Sequence, residues 1–240
     1  MKVIQPNCRI QFTGEDISFI LKSLGRDERD REMLTKLLTD EESRDLILDD
    51  DAIFRSLLET THCLPVSTHF YFYILVRNVL KKSGIQEREV ADYVAEVLAE
   101  FSQAEQVECR LPGRKESIDY FFEMIAALQK ADELTSFYLR QHIGNQSLFL
   151  SGIFPQRIRY RAEFKGFPDL SYYEELGRMN FRVASDHRLA SRYDLSRIFT
   201  TLAEHFHAAR LALNDLTDRL FTMDNHHEMD RLLKRGVIGI

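Results

Sequence analysis

His69, Tyr73 and Arg77 recur at i, i+4 and i+8, which places an imidazole, a phenol and a guanidinium in one line on a helix. The residues around them, Phe70-Tyr71-Phe72-Tyr73-Ile74-Leu75-Val76, are apolar. If such a helix is central, the line faces an internal polar cavity or a ligand carboxylate, which the bidentate donors of arginine suit. The plainer reading makes the same line the solvent side of an amphipathic helix. A second group lies beside Gly177, where Tyr172, Tyr173 and Arg178 could line a pocket. Equally, the two tyrosines could be core aromatics with their hydroxyls at the edge.

Eight histidines raise the question of a metal. A di-iron bundle takes Glu-x-x-His from two helices and one further Glu from each of two others, all pointing inward. Glu59-x-x-His62 matches once, and Asp224-x-x-His227 is an imperfect second. Both fall at expected helix ends, so Glu59 and His62 are only a faint metal candidate. His205 and His207 are two apart on a helix and point away from one another, so they do not chelate one ion together. There is no glycine-rich phosphate loop, no Gly-x-Ser-x-Gly and no His-Glu-x-x-His. No catalytic residue and no cofactor is assigned, and whether the chain is an enzyme stays open.

The elements that must position these residues read as helices near 14–24, 28–39, 41–48, 50–61, 66–83, 86–103, 116–143, 146–153, 169–184 and 194–222. A short last helix is expected near 225–235. In 194–222, Leu195, Ile198, Phe199, Leu202, Phe206, Ala209, Leu213, Leu216 and Leu220 recur at steps of three and four. They fall within about 60° of one line. In 116–143 the stripe Ile118, Phe121, Phe122, Ile125, Leu128 gives way to Leu134, Phe137 and Tyr138 on nearly the opposite side. Either the helix breaks near Lys130–Glu133 or it crosses between two packing layers. Gly25, Gly84 and Gly144 are expected as left-handed helix ends. Gly152 and Gly177 lie inside helical patterns, where close helix crossing is the expected reason and approach of a ligand the alternative. Strand-like signals are confined to Phe70–Val76, Val107–Leu111 and Arg157–Arg161. The fold class is all-α: an irregular multi-helix bundle in one domain over 1–240, with no repeat and no linker.

The totals narrow the function classes. A net charge of −6 gives no general attraction to nucleic acid or to an anionic membrane, so neither is expected as a partner. The balance is uneven, with nine Lys/Arg against six Asp/Glu in residues 155–200, a stretch that could attract an anion. Cys8, Cys63 and Cys109 are odd in number and far apart, which argues for free thiols rather than a disulfide frame. The start, MKVIQPNCRI, has no signal-peptide pattern, and no apolar run approaches the roughly 20 residues that span a bilayer. A cytoplasmic location is the expectation.

Four segments, FYFYILVR at 70–77, ADYVA at 91–95, GNQSLFLSGIFP at 144–155 and YYEELG at 172–177, resemble an uncharacterised bacterial protein family. That resemblance implies an all-helical bacterial protein and no activity, so no site residue follows from it. Three functions are carried forward. The first is a non-catalytic interaction or scaffold protein, homodimeric through an apolar helix face. The second is a binder of a small anionic or amphipathic ligand near His69, Tyr73 and Arg77. The third is a metal-dependent helical enzyme.

Overall fold

A computed structural model describes residues 3–59, 66–102 and 120–222. A 3-10 turn at Arg9–Gln11 precedes α1 (Gly14–Leu24), α2 (Glu28–Leu37), α3 (Glu41–Leu48), α4 (Asp51–Glu59), α5 (Thr68–Lys82) and α6 (Arg88–Phe101). Then follow α7 (Phe121–Leu128), α8 (Glu133–Ile153), α9 (Pro155–Lys165), α10 (Leu170–Ser185), α11 (Arg188–Arg192), α12 (Ser196–Glu204) and α13 (Phe206–Thr222). These thirteen helices form one body, with no strand among the described residues. The fold is all-α. The expected helix near 225–235, Val107–Leu111, Cys63, Cys109, His62, Asp224 and His227 lie outside the described residues.

The all-round apolar sequence of α5 has a direct cause. It packs against α6 on one side and α13 on another, and every residue from Phe72 to Leu80 is buried. Its start is set by Ser67, whose hydroxyl accepts the Phe70 N–H. Ser67 is itself held by the Asp16 carboxylate, which accepts both its N–H and its hydroxyl at 2.7 Å. Asp16 also closes the capping box of α1 with Thr13, so one buried carboxylate anchors the starts of two helices. At the other end Gly84 adopts φ +89°, and the Ile85 N–H returns to the Leu80 carbonyl. Both are marks of a Schellman stop.

Segment 116–143 breaks where its stripe changes side. α7 ends at Leu128 and α8 starts at Glu133, with Asp132 as N-cap accepting the Thr135 N–H at 2.7 Å. The aspartate interrupts the stripe because it is spent on the cap.

Four expectations are corrected. Gly144 does not end a helix: α8 runs through it to Ile153 and absorbs the segment expected separately at 146–153. A Cβ at Gly144 would lie 2.8 Å from the Phe181 ring, so the glycine permits α8 to approach α10. Gly25 ends α1 in an extended conformation (φ −82°), while Gly166 supplies the left-handed end of α9 at φ +66°. Residues 155–165, where the sequence suggested no helix and Arg157–Arg161 alternates too briefly to count as a strand, form α9, since Pro155 sits at its first turn with its fixed φ already suited to a helix. Segment 194–222 is two helices, parted at His205 (φ −110°, ψ 21°). The stripe remains buried across the break, but α12 turns it toward α10 and α6, and α13 toward α8 and α5. A straight helix would not reach both sets.

Gly152 and Gly177 are both contact points. A Cβ at Gly152 would lie 2.8 Å from Leu213, and one at Gly177 would run into the Phe206 ring and lie 2.9 Å from Ser147 Cβ. Gly144→Ala gains helix propensity but must displace the buried Phe181 ring. Thermal and denaturant unfolding should show a net loss of about 1–3 kcal/mol, the usual range for overpacking. An unchanged or raised stability would mean that Phe181 has room to move.

Candidate functional site

The structure distributes the six candidate residues over three environments. His69, Tyr73 and Arg77 share one side of α5, and that side is covered rather than bathed in water. Arg77 is buried and donates Nε to Asp49 Oδ1 at 2.7 Å, Nη2 to Asp49 Oδ2 at 2.9 Å and Nη1 to the Gln86 carbonyl at 2.8 Å. Asp49 also receives Arg88 at 2.9 Å and lies 3.7 Å from Lys81 Nζ. Burial acts to raise the Asp49 carboxyl, but the Arg77 hydrogen bond and the surrounding cations outweigh it and hold it below the usual carboxylate range.

The middle of the line meets the N-terminal turn. The Arg9 guanidinium sits 5.7 Å from the Tyr73 ring centroid and pairs with Asp45 at 2.8 Å, while the Arg9 backbone N–H donates to Asp92 at 2.8 Å. The Tyr73 hydroxyl is buried without a hydrogen-bond partner. Burial raises its phenol, and the nearby Arg9 charge only partly offsets this. His69 lies 3.7 Å from Glu96, and its carbonyl accepts the buried Cys8 thiol at 3.1 Å. Burial, with the Asp92 and Glu96 charges, pushes that thiol up and keeps it protonated. The line is thus one wall of a polar seam where the N-terminal turn, the α3–α4 junction and α6 are tied to α5.

Tyr172 and Tyr173 lie elsewhere, at the start of α10. Together with α7, α8 and α9 they enclose a cavity of about 440 Å³, within the size range of small-molecule sites. Phe121, Phe122, Phe154 and Phe167 supply further aromatic wall. Phe121 meets Tyr173 edge to face at 5.6 Å, and Phe122 is 67% exposed at the mouth. The charged lining residues are Arg157, Arg161 and Lys165, and no Asp or Glu lines the cavity among the described residues. Their i, i+4, i+8 spacing puts them on one side of α9. Arg161 stacks over the Phe167 ring at 3.9 Å. Partial burial, then the like charge of Arg161, holds Arg157 below the ordinary guanidinium range. Burial raises the Tyr173 phenol, against the smaller opposing pull of Arg161 and Arg157.

Gln146 also lines this cavity. It is 1% exposed, and its side-chain oxygen has no hydrogen-bond partner. A buried unsatisfied amide costs about 1–3 kcal/mol.

Arg178 is not part of either place; it is exposed and pairs with Glu175 one turn away at 3.2 Å. Glu59 is exposed at the end of α4, and His62 falls outside the described residues. No group of three or more metal-binding side chains occurs among the described residues.

The chain matches no protein-family model, no curated protein and no solved structure. The cavity's own chemistry therefore carries the functional reading. Sequence reasoning missed Gln146, Arg157, Arg161 and Lys165. The positive excess of 155–200 was a signal for the three cations, but reading 157–161 as alternation concealed their helical spacing. Gln146 carried no signal, because nothing in a sequence marks which amide ends without a partner.

Proposed function

We propose that this protein binds a small amphipathic anion, one acidic head group on an apolar or aromatic body, in the cavity between α7, α8, α9 and α10. The carrying observation is an aromatic cavity whose charged lining residues, among those described, are all cationic. The body would lie against Phe121, Phe154 and Tyr173, and the head group would meet Arg157 and Arg161. The anionic-ligand reading formed at His69, Tyr73 and Arg77 thereby moves to Tyr172 and Tyr173. No bond-making role is assigned to any of these side chains.

The test is titration with dodecanoate against neutral dodecanol, read by tyrosine fluorescence and by native mass spectrometry. One-to-one binding of dodecanoate is expected, with dodecanol weaker. Arg157→Gln/Arg161→Gln should weaken dodecanoate on the order of tenfold, the equivalent of about 1.4 kcal/mol. Gln146→Leu should leave dodecanoate binding undiminished, because this ligand brings no donor to the amide oxygen, while raising stability by about 1 kcal/mol, because it removes the unsatisfied amide. Binding that ignores the arginine substitutions, or none to any acyl or aryl anion, rejects the proposal.

A second reading, the homodimeric scaffold, is favoured by a different observation. Ile10 is 82% exposed and Leu46 69% exposed on segments joined by the Arg9–Asp45 pair. Sedimentation of the protein and of Ile10→Ser/Leu46→Ser separates this reading from the ligand reading, since neither residue lines the cavity.

A further inference from the structure

The wall of the cavity is chemically narrower than a general apolar ligand requires. Seven of its fifteen lining residues are Phe or Tyr, against 11% aromatic residues in the whole chain. Among the described residues, only Leu150, Ile158 and Pro168 add a saturated apolar side chain to that lining. The rings come from helix ends rather than from a core stripe. Phe121 opens α7, Phe154 links α8 to α9, and Tyr172 and Tyr173 lie in the first turn of α10. Their planes are crossed: Phe121 meets Tyr173 at 83°, and Tyr172 meets Tyr173 at 87°. Crossed rings offer both negative faces and positive edges, and an aromatic guest can match either. A saturated chain matches neither.

The anion contact is planar as well. Gly166 ends α9 in the left-handed region, and the Phe167 N–H returns to the Arg161 carbonyl at 3.2 Å. That stop brings the Phe167 ring beneath the Arg161 guanidinium, whose central carbon lies 3.9 Å from the ring centroid. A guanidinium stacked on a ring keeps its N–H donors at the rim of its plane, in the fork that suits a carboxylate. Among the described residues no acceptor takes the Arg161 donors. We infer that the cavity is a site for a planar aromatic carboxylate, with its rings among Phe121, Phe154 and Tyr173 and its carboxylate on the rim of Arg161. This rests on the ligand-binding reading and fixes the body which that reading leaves open: fused or linked rings rather than an acyl chain.

Isothermal titration of the full chain with 2-naphthoate and with undecanoate tests this, since the two anions have equal numbers of carbons. 2-Naphthoate should bind on the order of tenfold more tightly, because its rings match the ring walls and it has no rotors to freeze. Apolar area alone predicts the reverse order, as the saturated chain has more surface to bury. Neutral 2-naphthylmethanol should bind more weakly than 2-naphthoate. Phe121→Leu replaces a ring of the wall by a saturated side chain; it should weaken 2-naphthoate roughly fivefold and leave undecanoate unmoved. Tyr173→Leu makes the same comparison should Phe121→Leu fail to fold. Undecanoate bound as tightly as 2-naphthoate, or an undiminished preference for 2-naphthoate in the folded variants, overturns the aromatic class and leaves the anion reading in place. 2-Naphthylmethanol bound as tightly as 2-naphthoate overturns the carboxylate contact and this inference with it. Binding of neither anion overturns both this inference and the reading on which it rests.

Discussion

Asp49→Asn is expected to destabilise the protein by about 3–5 kcal/mol, the range for removing one partner of a buried ion pair. The carboxylate is nearly enclosed and takes two hydrogen bonds from Arg77, at 2.7 and 2.9 Å, and one from Arg88. Asparagine keeps the shape and one acceptor oxygen, but it turns the other oxygen into a donor facing Arg77 and leaves the buried guanidinium without its counter-charge. Arg77→Met should cost less than Asp49→Asn, since it removes two hydrogen bonds to Asp49 but leaves Arg88 and Lys81 facing the carboxylate. The pair Asp49→Leu/Arg77→Met should cost less than the sum of the two changes, because it strands no charge. Denaturant unfolding of the parent, the single variants and the double variant measures this. If Arg77→Met kept its stability and lost a co-purified ligand, the α5 line would be a binding site instead.

The same pair predicts a pH dependence with a definite sign. The folded Asp49 carboxyl lies below its unfolded value, so its contribution is complete above the unfolded value of about 3.9. It is lost as pH falls through the lower folded value. Asp92 acts in the other direction: burial raises it above the ordinary range despite Arg9, so its contribution is lost as pH rises through the raised value. The acid limb of the parent below about pH 4 should therefore flatten in Asp49→Asn. An identical acid limb in both proteins would locate the effect in other carboxylates.

Phe206→Ala should cost about 3–5 kcal/mol, as for a fully buried aromatic side chain. The ring is 1% exposed, fills the place of the missing Cβ at Gly177 and lies 6.2 Å from the Phe181 ring. It therefore holds α13 on α10 immediately after the bend at His205. His207, one residue on, is exposed and meets Glu174 at 2.9 Å. Glu174 keeps Arg210 at 2.9 Å when that histidine is removed. His207→Ala should change stability by less than about 1 kcal/mol. Equal losses in the two variants would mean that the phase of α13 is wrong. The geometry adds a coupling: Gly177→Ala should be damaging alone and less damaging in Phe206→Ala, where the ring is gone and only the Ser147 Cβ, at 2.9 Å, still crowds the new methyl group.

The sequence by itself determined the all-α class, most helix ends and the buried stripe of 194–222. These depend on local physics: Ser, Thr and Asp satisfy free N–H groups at helix starts, Gly84 accepts a positive φ, and a 3.6-residue period marks a core face. The break before Asp132 belongs to the same kind, since the cap and the change of stripe both appear in the sequence. Only the tertiary structure decided what Gly144 is for. A glycine that ends a helix and one that admits a neighbouring ring look alike in sequence, and only the position of Phe181 separates them. The same holds for the α5 line. His69, Tyr73 and Arg77 were legible as a polar row, but whether the row faced water, ligand or protein depended on residues 28 or more positions away, Asp49 and Arg9 among them. The candidate site shows the limit most clearly. Tyr172 and Tyr173 were legible beside Gly177, whereas Gln146 became informative only when the fold buried its amide without a partner and set three cations of α9 beside it. Charge, period and caps are properties of neighbours along the chain; a cavity is made by what remains unfilled when distant segments pack, and no single segment encodes it.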